Sequence, residues 1–363
     1  MSACLIAKAP LRISLGGGGT DLPAYYEQHD GLVVSMAITY YTYVILTPGQ
    51  SDEVQIIFAD QRSGRRPPEC DDYVWDTDLR LPKAIAQYFH ITGGLTVFLA
   101  CQAPPGAGLG CSSSVAVAMI KALAFWCGLD LGPAEVAELA CHIEIDAVKM
   151  RVGKQDQYAS AFGGLNCIHF SSKGVMVEPL QMPHEARESL EQNLMLFFAG
   201  SSLQSTSILH RQERASREDE RETIARLDAI KALGSEMCAV LSQGDLTAFG
   251  ELLHESWMNK RGLTHGISNE FLDRCYQAAL DNGAIGGKVT GAGGGGHMIF
   301  LCPEARQPAV SDALTALGLQ RRSFRIDADG VQVMEVSPRP GAPMLRMPSA
   351  RRAAERLHIR VGG

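Results

Sequence analysis

An α+β fold in two domains is what this sequence predicts, on three observations. Its 363 residues exceed the roughly 100–200 residues of one domain. Hydrophobic residues make up 46% and charged residues 20% of it, the balance of a globular chain with a large core. Strand-like runs dominate the first half, whereas from Glu185 onward helical periods interleave with strands. The expected division is 1–185, 186–345 and a locally basic tail at 346–363.

The chain opens on Cys4–Leu15, which reads as a strand; Pro10 inside it predicts a bulge or an edge. Gly16-Gly17-Gly18-Gly19 comes next, then Thr20 and Asp21, short hydrogen-bonding groups suited to hydroxyls. Leu32–Thr47 is rich in Val, Ile, Thr and Tyr and reads as one or two strands. Pro48-Gly49 turns it into Val54–Phe58, an expected hairpin. Asp71–Asp76 reads either as a wall for a nucleotide base or as ordinary packing of Trp75. Leu95–Cys101 is a strand and Val115–Trp126 a buried helix. Gly132-Pro133 starts a helix whose stripe is Val136, Leu139, Ala140 and Ile143, with Glu144 beside it. Gly153–Gly164 holds Asp156 in a polar cluster between glycines.

In the second half, the strand Leu194–Ala199 precedes Arg211–Glu222, whose alternating signs mark a solvated helical face. Three helices carry apolar positions at Leu227, Ile230 and Met237; at Phe249, Leu253 and Trp257; and at Leu272, Cys275 and Tyr276. Lys288–Leu301 reads as strand, glycine loop and strand. Glu304–Leu317 reads as a helix and Asp329-Gly330 as the turn of a hairpin.

The chemistry centres on Pro104-Pro105-Gly106-Ala107-Gly108-Leu109-Gly110-Cys111-Ser112-Ser113-Ser114, between a strand and a helix start. Bare N–H groups and the helix dipole converge there, so phosphate is the expected guest. The serine hydroxyls suit a cap or a metal held by the phosphates. A Walker loop is excluded, because no lysine lies between Pro104 and Ser114; a dinucleotide fingerprint is excluded, because Cys111 stands where a glycine is needed. Gly291, Gly293 and Gly296 match Gly-x-Gly-x-x-Gly, but a strand succeeds them where that fingerprint requires a helix.

A net charge of −7 argues against a nucleic-acid partner. No apolar run approaches the roughly 18 residues that span a bilayer, and Lys8 and Arg12 interrupt any secretory apolar segment. The expectation is a cytoplasmic protein with no membrane partner. The ten cysteines show no Cys-x-x-Cys pair and are read as reduced thiols, mostly small core residues.

Three stretches, in order, resemble one family: Ala9–Asp21, Pro104–Ser114 and Lys288–His297 look like the motifs of the galactose, homoserine, mevalonate and phosphomevalonate (GHMP) kinases. Within it, Gly16–Asp21, Gly153–Tyr158 and His254–Arg261 look most like the branch acting on D-glycero-D-manno-heptose 7-phosphate. The resemblance implies an N-terminal domain like the second domain of ribosomal protein S5 and a ferredoxin-like C-terminal domain, with the site between them. It implies ATP and Mg²⁺ as cofactors, and a sugar phosphate phosphorylated on its anomeric hydroxyl for surface-polysaccharide synthesis. Another sugar, such as fucose or mannose, stays open as the acceptor. So do a non-catalytic sugar and ATP sensor, and a homo-oligomer.

The resemblance also implies roles by position. Asp156 would be the catalytic carboxylate and Arg12 the cation that positions the acceptor and offsets charge. Ser112 and Glu144 would hold Mg²⁺, and the backbone of Pro105–Ser114 would wrap the ATP phosphates; Cys111 departs from the usual serine. Gly18, Gly19, Thr20, Asp21, Gly293 and Gly294 would surround the acceptor, with Lys260 and Arg261 as candidates for its remote phosphate.

Overall fold

Strand β1 (Cys4–Gly16) runs through the middle of the first sheet and carries the first glycine motif at its end. The computed structural model describes residues 4–49, 52–58, 79–202, 205–218 and 221–336. The Asp71–Asp76 stretch and the basic tail lie outside the described residues. Beside β1 lies β2 (Gly31–Pro48), one strand of 18 residues. Its pairing with β1 jumps from Pro10↔Tyr41 to Leu11↔Ile38, so the bulge predicted at Pro10 is present, its extra residues looped out of β2.

The length of β2 lets it hold two partners on its other edge. The short edge strand β3 (Gln55–Phe58) does not pair with it; β4 (Leu95–Cys101) pairs with its C-terminal half and β5 (Leu165–Ser171) with its N-terminal half. The hairpin expected between β2 and β3 is therefore corrected: β3 pairs in parallel with β4, which sits between them. Burial decides this order. Leu95, Val97 and Leu99 of β4 are at most 1% exposed, whereas the side chains of β3 alternate between exposed and half-buried, so the more apolar strand takes the interior place. The edge strand β6 (Gly174–Pro179) extends β5.

The second sheet is antiparallel and four-stranded: β7 (Leu194–Phe198) and β9 (His297–Leu301) pair at its centre, flanked by β8 (Gly286–Val289) and β10 (Gln320–Arg322). Helices Arg221–Gln243, Leu246–Arg261 and Glu270–Asp281 pack around it with their predicted apolar positions buried. Asp245 and Asn269 cap the latter two by accepting from the N–H groups of Ala248 and Leu272, both at 3.0 Å. The turn at Gly330 is real, with φ of 68°, but it does not close a hairpin. The chain instead crosses to the first sheet, where β11 (Gln332–Val336) pairs with the start of β1. The Asp327 carboxylate accepts from the N–H groups of Asp329 and Gly330 and fixes that crossing.

One apolar cluster joins the two sheets: Leu11, Ile13 and Leu15 of β1 meet Leu196, Phe249 and Ile299. A disulfide joins Cys167 on β5 to Cys238 on helix Arg221–Gln243. This corrects the reading of every cysteine as reduced: 71 residues of separation hide a pair whose Cα atoms the fold brings to 6.5 Å, inside the bridging range. No helix among the described residues is long and apolar enough to cross a membrane.

The second and third glycine stretches meet through His297, whose backbone N–H and ring Nδ1 both reach the Ala107 carbonyl, at 3.0 and 2.8 Å. Burial pushes this histidine down from 6.5 to about 4, so the fold holds it neutral, with Nδ1–H as donor. Below pH 6.5 the unfolded chain takes up the proton first, and stability falls until the folded value near 4 is passed. The loss expected at pH 4 is about 3 kcal/mol. Urea unfolding between pH 7 and 4 should show this slope in the wild type and lose it in His297→Gln; parallel curves would refute the assignment.

Candidate active site

Beyond β4 the chain turns through Gly106, Gly108 and Gly110, whose φ angles are 72°, 75° and 77°. Such left-handed backbone costs other residues about 1–2 kcal/mol each. The helix then starts at Cys111, earlier than the apolar run suggests, and no side chain caps it. Its first internal bond is Ser114 N–H to the Gly110 carbonyl at 3.0 Å. The N–H groups of Cys111, Ser112 and Ser113 therefore have no helical partner. They stand at the wall of a cavity of about 360 Å³, where bare N–H groups and the dipole favour an anion. Pro105 to Gly108 and Gly110 to Ser113 line this cavity. Leu109 and Ser114 do not: Leu109 is buried, and the Ser114 hydroxyl donates to the Cys111 carbonyl at 2.9 Å.

Arg12 and Asp156 meet beside the loop. Asp156 lies in the first turn of helix Gln155–Phe162, 144 residues from Arg12. The guanidinium donates from Nε to Oδ1 at 2.7 Å and from Nη2 to Oδ2 at 2.8 Å, while Nη1 donates to the Gly108 carbonyl at 2.7 Å. One side chain thus locks the carboxylate and the loop into a single frame. Nη2 also lies 2.7 Å from Oδ1, so that oxygen meets two guanidinium nitrogens, while Oδ2 keeps a lone pair beyond its bond to Nη2. Gly110 gives the pair room, since a Cβ there would lie 3.2 Å from Asp156 Oδ2.

Glu144 is not at a solvated helix edge. It sits fully buried in the π-helical turn His142–Ala147, a wide turn that continues from helix Pro133–Cys141. Gln157 Nε2 donates to it at 2.6 Å and the Ser113 hydroxyl at 3.1 Å, and the Ser112 hydroxyl lies at 3.4 Å. Burial pushes its carboxyl up to about 7, because among the described residues only neutral donors and no cation offset the lost hydration.

At the first glycine motif, Asp21 and Lys260 come from opposite halves into one buried space. Asp21 accepts from the N–H groups of Gly19 at 2.9 Å and Gln155 at 3.3 Å. Burial raises its carboxyl above the ordinary value, and the Asp156 charge adds to that. Lys260 donates to the Gly291 carbonyl at 2.9 Å; burial pushes it down to about 8, with the Asp21 charge opposing. Gly153 packs flat on the Asp21 carboxylate, where any Cβ would collide. Gln212 completes the space, its amide 3.4 Å from the Gly19 carbonyl.

The GHMP kinase N-terminal domain model matches residues 79–164 and the C-terminal model residues 229–319. D-glycero-alpha-D-manno-heptose 7-phosphate kinase of Campylobacter jejuni is 30% identical to this chain, over 90% of it and 97% of that protein. The chain belongs to the GHMP kinase family. Mevalonate kinase of Thermococcus gammatolerans is 34% identical over 68% of the chain and 70% of its own length. The crystal structure of a D-glycero-D-manno-heptose 1-phosphate kinase from Bacteroides thetaiotaomicron superposes with a TM-score of 0.72 at 28% identity, covering 92% of the chain and 100% of that one. GHMP kinases use ATP as phosphate donor, which accords with an anion loop at Pro105–Ser113.

Other predicted residues of this GHMP kinase take different places. The Thr20 hydroxyl is spent inside the loop, donating toward the Gly17 and Leu32 carbonyls at 2.8 and 2.9 Å. Gly18 lies under Lys260, where a Cβ would be 3.3 Å from Nζ. Gly293 and Gly294 are outside the cavity wall: the Gly293 carbonyl accepts from Ser202, and Gly294 N–H donates to Ile267. Arg261 points away as well, toward Asp273 at 3.5 Å. Sequence reasoning missed Gln155 and Gln212. The second carried a signal: Ile208, Gln212 and Ser216 are uncharged residues four apart in a charged run, and all three are buried.

Proposed function

We propose that this GHMP kinase transfers the γ-phosphoryl group of ATP to the anomeric C1 hydroxyl of D-glycero-D-manno-heptose 7-phosphate, giving the 1,7-bisphosphate and ADP. The product would feed nucleotide-activated heptose into a surface polysaccharide. The observation that carries this reading is the charge balance of the acceptor space. A carboxylic acid such as mevalonate calls for an unmatched cation, whereas here buried Lys260 faces buried Asp21, a neutral pair suited to hydroxyls. The near full-length match to the Campylobacter heptose kinase supports it. The retained Arg12–Asp156 pair supports catalysis over sensing.

In this reading the acceptor hydroxyl donates to a free lone pair of Asp156, which takes its proton as the new O–P bond forms. Arg12 holds that carboxylate in place and keeps it in register with the phosphate loop. The apolar wall of Phe58, Leu81, Pro82 and Val115 would take the adenine. Ser112 and Glu144 fit Mg²⁺: a buried carboxylate with no cation partner, next to a hydroxyl, supplies two oxygens of a hard-cation shell. No cluster of three or more His, Cys, Asp or Glu exists among the described residues, so phosphate oxygens would supply the rest. Mg²⁺ bound there would neutralise charge on the β and γ oxygens.

The Campylobacter and Bacteroides heptose kinases differ in which phosphate their names assign to the substrate, so product analysis is the decisive experiment. With a panel of heptose 7-phosphate, mannose, fucose and mevalonate, the heptose phosphate should show the highest kcat/KM and its product should carry phosphate on C1. Equal turnover of mannose or fucose would remove the 7-phosphate assignment and keep an anomeric sugar kinase.

A further inference from the structure

A second cleft, of about 1030 Å³, adjoins the active-site cavity, and no step of the transfer uses it. Four apolar residues line both spaces: Leu22, Met150, Val152 and Leu209. They form a neck. One residue past the neck along each chain segment stands a basic side chain that lines the second cleft alone: Lys149 beyond Met150, Arg151 beside Val152, and His210 beyond Leu209. The cleft also holds Arg214 and Arg217 from the helix of His210, against the carboxylates of Glu27, Glu138, Asp146 and Glu213, so an apolar collar is backed by an excess of basic side chains from two separate elements, the form of a site for a molecule with an anionic end.

We infer that this cleft holds the remote phosphate of the acceptor, with Arg151 as its main ligand and Lys149 beside it. The inference rests on the heptose phosphate reading and refines it. Three observations carry it. Arg151 is two residues from Gly153, which lies flat on Asp21; two residues span at most about 7 Å, so the Arg151 backbone lies within that distance of the wall of the sugar space. Its charge is poorly matched, since Glu213 lies 3.8 Å from its Nε and already accepts from Arg217 at 2.8 Å. Lys149 holds a left-handed backbone, φ 61°, which costs a non-glycine residue about 1–2 kcal/mol. The helix-stop bond from Met150 N–H to the Glu144 carbonyl at 2.8 Å offsets that cost, and the Lys149 side chain makes no ion pair or hydrogen bond to another described residue, which leaves its ammonium open to a ligand.

Chemistry favours phosphate over other anions. A planar fork, half exposed at 47%, can bind two phosphate oxygens at once, and a neighbouring ammonium adds charge. The collar would pack against the carbon chain between sugar ring and phosphate. Lys260 and Arg261 are thereby released from the role: Lys260 is matched by Asp21, and Arg261 faces Asp273.

The test compares D-glycero-D-manno-heptose 7-phosphate with the same heptose lacking phosphate, in wild type, Arg151→Ala, Arg151→Lys and Lys149→Ala, each checked for unchanged melting temperature. Wild type should prefer the phosphorylated acceptor. Arg151→Ala should cut that preference about 10–100-fold through KM, the size of a lost charge-assisted hydrogen bond. Arg151→Lys should recover part of it, and Lys149→Ala should show a smaller loss. Wild-type preference kept intact in Arg151→Ala would overturn the inference and leave the heptose phosphate reading standing. A rise in the KM of ATP instead would assign the cleft to the nucleotide and also overturn it. Absence of any preference in wild type would bring down the heptose phosphate reading, and the inference with it.

Discussion

Asp156→Asn is expected to lower kcat by about 10²–10⁴-fold, the scale of a lost positioned base. The amide keeps the shape of the carboxylate but offers one oxygen to the acceptor and to Arg12 where there were two. KM values for ATP and acceptor should stay within a few-fold, because the phosphate loop and the Asp21–Lys260 space are untouched. A lower melting temperature should accompany the loss. Arg12 is 4% exposed, and in the variant it keeps one amide oxygen and the Gly108 carbonyl as acceptors but loses its counter-charge. Steady-state kinetics with a melting curve check both, and kcat within tenfold of wild type would take Asp156 out of the catalytic role.

Gly108→Ala is expected to damage the nucleotide side to a similar extent. The residue has φ of 75°, and a Cβ there would lie 2.7 Å from both the carbonyl and the hydroxyl oxygen of Thr290. Left-handed strain of about 1–2 kcal/mol adds to an overpacking cost of about 1–3 kcal/mol. Part of the sum is relieved if the loop moves away from β8, and that movement takes the N–H groups from the phosphates. The expected result is a fall of about 10²-fold in kcat/KM for ATP, with less effect on the KM of the acceptor. Gly94→Ala serves as control: its φ of 69° carries the same backbone cost, but no atom lies within 4 Å of its Cβ. Equal kinetics in the two variants would mean that the close approach to Thr290 has no part in nucleotide binding.

The features legible in the sequence are local ones. Each glycine motif lies on a strand end or helix start, where dihedral freedom and bare N–H groups leave a direct mark, and the helices of the second half declare themselves by period. Pairings across the chain leave no such mark. The Arg12–Asp156 fork spans 144 residues and is legible only through family likeness. The place of β4 between β2 and β3 depends on relative burial of two strands, which neither shows alone. Arg261 looks as suitable as its neighbour Lys260, yet one step along a helix turns a side chain by about 100°, toward Asp273 and away from the cavity. Glu144 misleads for the same reason, since a regular helix puts it at the rim and only the wide turn His142–Ala147 carries it inside.

That wide turn makes chain length part of the active site. A π turn holds one residue more than an α turn, and such turns arise where a helix absorbs an extra residue. Removing any one residue between His142 and Ala147 would let the backbone relax to 3.6 residues per turn and swing the downstream segment by about 100°. That segment carries Lys149 and Arg151, then Gly153 against Asp21, then Asp156 against Arg12. The proposed phosphate ligands, acceptor wall and catalytic carboxylate are therefore phased together by this one turn. Substitutions along this stretch can be graded one by one, but a deletion would dephase all three at once.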